Sequence, residues 1–153
     1  MRELILAEVE TLMKEAIAYA RSIGRISSVA VVDMGGNLRG ALRPEKGRIV
    51  NIQIAEKKAW TAVAFQRPTH MVRNVMLPGA MGYGLQYTDR RICIVGGGYP
   101  LIDAEGDIIG GIGVSGGTVD EDHECCLAAM RKLGFVTDFE DPFSGVSVRD
   151  QGR

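Results

Sequence analysis

Two tight turns constrain this chain more than anything else in it. Met34-Gly-Gly-Asn37 separates the β-branched run Ser27–Asp33 from a second run, Leu38–Arg43. Ala104-Glu-Gly-Asp107 separates Leu101–Asp103 from Ile108–Val114. Gly and Asn accept the left-handed backbone angles that a short hairpin connection needs. A hairpin joins antiparallel neighbours, whereas parallel strands need a crossover of a dozen or more residues. The sheet is therefore expected to be largely antiparallel.

Helical patterns fill the space around the hairpins. Residues 3–22 place Leu4, Ile5, Val9, Leu12, Ala16, Ile17 and Ala20 at helical spacing, with Gly24 as the stop. Ile49–Phe65 reads as an Ala-rich helix ended by Arg67-Pro68, and Thr69 as the cap of a short helix through Met76. Arg91–Val95 reads as a strand, interrupted by Gly96–Pro100 and resumed at Leu101. Thr118-Val-Asp-Glu121 fits a capping box, and the helix behind it runs to Leu133 with Gly134 as the stop. This order predicts an α/β (α+β) domain with about five strands over residues 1–134. An irregular tail, 135–153, is expected to pack on the domain or on a partner subunit.

Composition removes several functions. A net charge of −1 argues against general binding to nucleic acid or to an anionic membrane. The apolar runs are far shorter than the roughly 20 residues that span a bilayer. The opening MRELILAEVE mixes acids with apolar residues, unlike a signal peptide, so the cytoplasm is the expected location. Three cysteines, two of them adjacent, do not read as a disulfide framework. With two histidines and no CxxC, no metal site is expected.

Glycine is the outlier, and the nine residues Gly110–Thr118 hold five of the 20. Gly111-Ile-Gly-Val-Ser-Gly116 satisfies GxGxxG, but the hairpins around it deny the parallel βαβ unit that a dinucleotide needs. As a P-loop it fails because Gly117 stands where the phosphate-binding Lys belongs. Strand alternation leaves Gly111 and Gly113 bare on one face, with Ser115 after them. A packed helix, a partner subunit or a flat ligand could lie on that strip. The helix N-terminus beyond it suits an anionic group, partly offset by Asp120, Glu121 and Asp122 in its own first turn.

Candidate site residues follow from that strip. Gly97, Gly98, Gly111, Gly113, Ser115, Gly116, Gly117 and Thr118 form the expected ligand platform. Arg43 or Lys58 could hold a ligand carboxylate, with structural ion pairing the alternative for each. His70 could act as a general base or an iron ligand, with Glu45 a second proton carrier, or His70 could be a surface residue. His123 lies among Asp120, Asp122 and Glu124, which are expected to raise its pKa. Met71, Met76, Met81, Tyr83 and Tyr87 could cover a flat apolar ligand or simply pack. Cys125 and Cys126 read as buried thiols.

In order and spacing, several motifs resemble the GlcG/HbpS family, the haem-degrading-type domain also found at the C-terminus of PduO-type proteins. They are Val29-Ala-Val-Val-Asp33 with Gly35-Gly-Asn37, Lys58-Ala-Trp-Thr-Ala62 with Pro68-Thr69, Gly96-Gly-Gly-Tyr-Pro-Leu101, and Gly110–Thr118 closing with Asp122. The resemblance implies a three-layer α/β/α domain with a five-stranded antiparallel sheet, similar to profilin and PAS domains. It implies a homo-oligomer, dimer to octamer, and a small-molecule ligand such as haem or another tetrapyrrole. Haem ligation by a His near the N-terminus, as in some relatives, has no counterpart before His70. Three functions stand: a tetrapyrrole or carboxylate-binding protein, an acid/base enzyme on a small organic acid, and an accessory subunit.

Overall fold

The computed structural model describes residues 1–141. Its elements in chain order are α1 (Leu6–Ser22), β1 (Ser28–Asp33), β2 (Leu38–Leu42), α2 (Ile49–Phe65), α3 (Thr69–Met76), a 3₁₀ turn (Leu85–Tyr87), β3 (Gly98–Ile102), β4 (Ile108–Ser115) and α4 (Val119–Lys132). Among the described residues the sheet has four strands in the order β2-β1-β4-β3, every neighbouring pair antiparallel.

Both hairpins form where the turn residues place them. Asp33 closes the first, its carbonyl accepting from the Gly36 amide and its Oδ1 from the Gly35 and Asn37 amides. Asp103 repeats the pattern in the second, accepting from the Gly106, Glu105 and Asp107 amides. Gly36 and Gly106 take φ of 78° and 90°, which is why glycine stands there.

The two faces of the sheet are covered differently. Val29, Val31, Tyr99, Leu101, Ile112 and Val114 share one core with Val9, Leu12, Ala16 and Ala20 of α1 and with Cys125, Cys126, Ala129 and Met130 of α4. Each fully buried Val, Leu or Ile there contributes about 1.5–3 kcal/mol. The opposite face is the glycine strip. A Cβ on Gly113 would strike the Ala55 carbonyl and the Ala59 amide, and one on Gly111 would lie 2.6 Å from Val63 and 2.7 Å from the Ala59 carbonyl. A Cβ on Gly98 would lie 2.5 Å from the Lys58 carbonyl. The strip is therefore the bed of α2, whose backbone sits directly on the backbone of β3 and β4.

Three local expectations are corrected. Arg91–Val95 is not a strand, because Thr61 of α2 occupies its backbone: the Cys93 amide donates to Thr61 Oγ1, and that hydroxyl donates to the Arg91 carbonyl. The strand begins instead at Gly98, inside the supposed break, and Pro100 is tolerated because β3 is an edge. Thr69 does not cap α3. Its hydroxyl is buried and accepts from the Gly98 amide at 3.0 Å, tying α3 to β3.

The first part of the expected tail packs on the domain. Phe135 is buried in the main core, the Val136 amide donates to the Ile102 carbonyl, and Phe139 lies against the Tyr99 ring. Its remainder, 142–153, lies outside the described residues. No helix among the described residues is long and apolar enough to cross a membrane.

Candidate functional site

The platform expected around β4 is closed. Gly111 and Gly113 lie beneath α2, so no ligand reaches them. Lys58 does not reach a ligand either. It is 1% exposed, and its Nζ donates to the Val114 carbonyl at 2.9 Å and to Asp122 Oδ2 at 3.0 Å. Gly97 and Gly98 are buried against it, and a Cβ on Gly97 would lie 2.9 Å from Lys58 Nζ. Ser115 is buried with its hydroxyl 3.4 Å from Asn51 Oδ1.

The anion-ready start of α4 is occupied by its own acids. The Gly117 amide donates to Asp122 Oδ1 and the Thr118 amide to Glu121 Oε1, while Thr118 Oγ1 accepts from the Glu121 amide. This is the capping box expected from the sequence. The Gly117 and Thr118 amides are thus already engaged and not free for an oxyanion, while Gly116 packs closely against Ile26 and Ser27. Arg43 and Glu45 sit in the exposed β2–α2 loop, where Arg43 donates weakly to the Gly47 carbonyl at 3.4 Å. Glu45 lines a cavity there that does not include His70.

The chemistry gathers elsewhere. His70 at the start of α3 and His123 in the first half of α4 meet edge to face, with ring centroids 4.5 Å apart. The Tyr99 hydroxyl and His123 Nδ1 are hydrogen-bonded at 3.0 Å. Gly96 makes the meeting possible, since a Cβ there would lie 2.8 Å from His123 Nε2. The three glycines 96–98 thus serve three close approaches: the His123 ring, the Lys58–Asp122 pair and the α2 backbone.

A cavity of about 320 Å³ opens beside the histidines, lined by His70, Arg73, Asn74, Val95, Gly96 and Val119. Residues three and four apart share a helix face, so α3 presents His70, Arg73 and Asn74 together. His70 Nδ1 is buried without a hydrogen-bond partner. Burial lowers the His70 pKa, opposed by the negative charge of Asp141. Burial, reinforced by His70, brings His123 down to about 4. Both rings are neutral at pH 7. The expectation that neighbouring acids raise His123 is corrected: Asp120 does pull it up, but desolvation wins. Burial also pushes the Tyr99 phenol well up, so it keeps its proton.

Sequence reasoning put His70 among its candidates, set His123 aside as a charge-paired surface residue, and missed Tyr99 and Arg73. The usable signal was the glycine run beside Tyr99, which announces close approach from both sides. Of the residues offered as a cover for a flat ligand, Met71 and Met76 are core, while Met81, Tyr83 and Tyr87 are exposed. Cys125 and Cys126 are buried thiols, the first pushed up to about 12.

Residues 4–131 match the family described as haem degrading protein HbpS-like. An uncharacterized 15.0 kDa protein from the dhaT-dhaS intergenic region of Citrobacter freundii is 38% identical over 128 residues, covering 83% of this chain and 89% of that protein. The corrinoid adenosyltransferase PduO of Salmonella typhimurium is 34% identical over 131 residues, covering 85% of this chain; the match spans 39% of the relative's length. A crystal structure of a PduOC:heme complex superposes with a TM-score of 0.85 at 32% identity, covering 90% of this chain and 100% of that one. The mixed α/β architecture and the antiparallel sheet agree with these likenesses, and the chain belongs to the HbpS-like family.

Proposed function

We propose that this chain binds haem or a related tetrapyrrole at the His70 cavity. The observation that carries the reading is the likeness, over nearly the whole described domain, to PduOC in complex with heme. The cavity residues suit such a ligand. A neutral imidazole is the form that ligates iron, Arg73 matches a propionate carboxylate, and Val95 and Val119 offer apolar walls. His70 would hold the iron and Arg73 the propionate, with His123 and Tyr99 packed behind His70. When bound, haem iron supplies redox and oxygen chemistry.

A cavity of about 320 Å³ encloses only part of a macrocycle. The rest would lie against the exposed Met81–Tyr87 segment or a second copy of the chain, which fits the homo-oligomer that the family resemblance implies. The three-layer arrangement and a cytoplasmic location belong to the same reading.

The test is a haem titration of the purified chain, followed by its Soret band. His70→Ala is expected to weaken binding at least tenfold and to shift the band. An unchanged spectrum and affinity in that variant would place the ligand elsewhere, and no Soret band in the wild type would remove the reading.

A small organic acid is the second reading, favoured by Arg73 standing one helical turn from His70. In it Arg73 holds the carboxylate and His70 moves the proton. Turnover lost in both His70→Ala and Arg73→Leu, without a Soret band, would select it.

A further inference from the structure

Away from the histidines, a cavity of about 270 Å³ lies between the end of α1 and the β2–α2 loop. Arg21, Arg25 and Lys46 line it against a single acid, Glu45, with Ser27 and apolar Ile26 beside them. Arg25 engages Glu121 through Nε alone, at 3.0 and 2.9 Å, and its terminal nitrogens have no partner among the described residues. Arg21 and Lys46 have no ion-pair partner among the described residues.

Two further observations point to the same cavity. Ser27 is 2% exposed, and its hydroxyl has no hydrogen-bond partner. Buried hydroxyls are nearly always paired, so an orphan beside a cavity needs an explanation. Lys46 takes φ of +64° in the turn closed by the Gly47 amide and the Pro44 carbonyl. That turn position is normally given to Gly or Asn. Left-handed strain at a residue of another type gathers where a side chain must be held for a ligand.

We propose that this cavity binds a phosphate group, free or as a small monoester, between Arg21, Arg25 and Lys46, with the Ser27 hydroxyl completing its hydrogen bonds. Three cations stand against Glu45 in the cavity and Glu121 paired with Arg25, so one net positive charge remains, and the guanidinium donors of Arg21 and Arg25 suit the several oxygens of a phosphate group. The apolar lining at Ile26 accommodates the organic part of an ester. This site is independent of the tetrapyrrole reading and uses none of its residues.

The test is calorimetric titration of the full chain with inorganic phosphate and with phenyl phosphate at fixed ionic strength. Saturable binding of either supports the site, and tighter phenyl phosphate binding identifies a monoester. Lys46→Gly is expected to weaken binding about tenfold while raising Tm by about 2–4 °C, because glycine relieves the turn. Ser27→Ala and Arg21→Gln are expected to weaken binding about fivefold or more without unfolding the chain. Absence of saturable binding to both probes overturns the proposal. So does a Lys46→Gly protein that is more stable yet binds phosphate as tightly as before.

Discussion

Lys58 Nζ lies 3.0 Å from Asp122 Oδ2 where both side chains are shut away from water, at 1% and 4% exposure. The pair joins the middle of α2 to the first turn of α4 across the end of β4. Lys58 also donates to the Val114 carbonyl, and Asp122 also accepts from the Gly117 amide. A buried ion pair adds little over a well-packed apolar pair, but losing one partner strands the other charge.

Lys58→Met is therefore expected to cost about 3–5 kcal/mol in urea unfolding, and Lys58→Met with Asp122→Leu much less than the sum of the two single changes. A single variant within 1 kcal/mol of wild type would refute the role of the pair, taking about 3 kcal/mol as the lower limit.

The α2 bed gives a contrast between two glycines. Gly113→Ala drives a methyl into the Ala55 carbonyl and is expected to cost about 3 kcal/mol or more, with loss of soluble protein in the extreme. Gly24 has no atom near its missing Cβ and a φ of 75°, so Gly24→Ala should cost only about 1 kcal/mol, from backbone strain alone. Thermal unfolding of the two variants side by side checks this ordering.

Acid should weaken the fold through the histidines. The unfolded His123 imidazole takes a proton near its ordinary 6.5, the folded one only near about 4. The stabilisation is complete above about pH 6.5 and is lost progressively as the pH falls towards about 4. After discounting for partial exposure, the loss between pH 7 and 4.5 is about 1–2 kcal/mol. Asp122 acts in the opposite sense, since burial raises its carboxyl and protonation there favours the folded form. Comparison with His123→Gln isolates the imidazole, and the variant's urea midpoint should fall less over that window. Equal slopes would dismiss the effect. Glu121, held near about 2 by Arg25, titrates below the window.

Thiol chemistry should separate one cysteine from two. Cys93 is half-buried, whereas Cys125 and Cys126 are buried and their thiols are pushed far up by desolvation. An aromatic disulfide reagent at pH 8 is expected to titrate one thiol rapidly in the native chain and three in denaturant.

Much of the fold was legible because its signals are local. The Met34–Asn37 and Ala104–Asp107 turns, the Thr118–Glu121 box and the ends of α2 each depend on a few adjacent residues. The strand alternation along β4 was also legible, placing Gly111 and Gly113 together on one face. The occupant of that face was not, since helix, subunit and ligand all ask for the same missing side chains. Arg91–Val95 misled because its apolar run looks like a strand, while a single hydroxyl from Thr61 holds it in place. The histidine pair was hidden for a different reason. His123 sits among acids in sequence, and only the fold replaces that polar company with the His70 ring and the Tyr99 phenol.

The seating of α2 on bare glycine backbone has one more consequence. Layer spacing there is set by main-chain atoms, so it is insensitive to which residues α2 shows to the outside. Gln53, Glu56 and Lys57 can be exchanged without moving the sheet, while the seam beneath tolerates no added carbon. The outer surface of that helix is thus free to diverge in sequence at no cost to the geometry that holds His70 against His123.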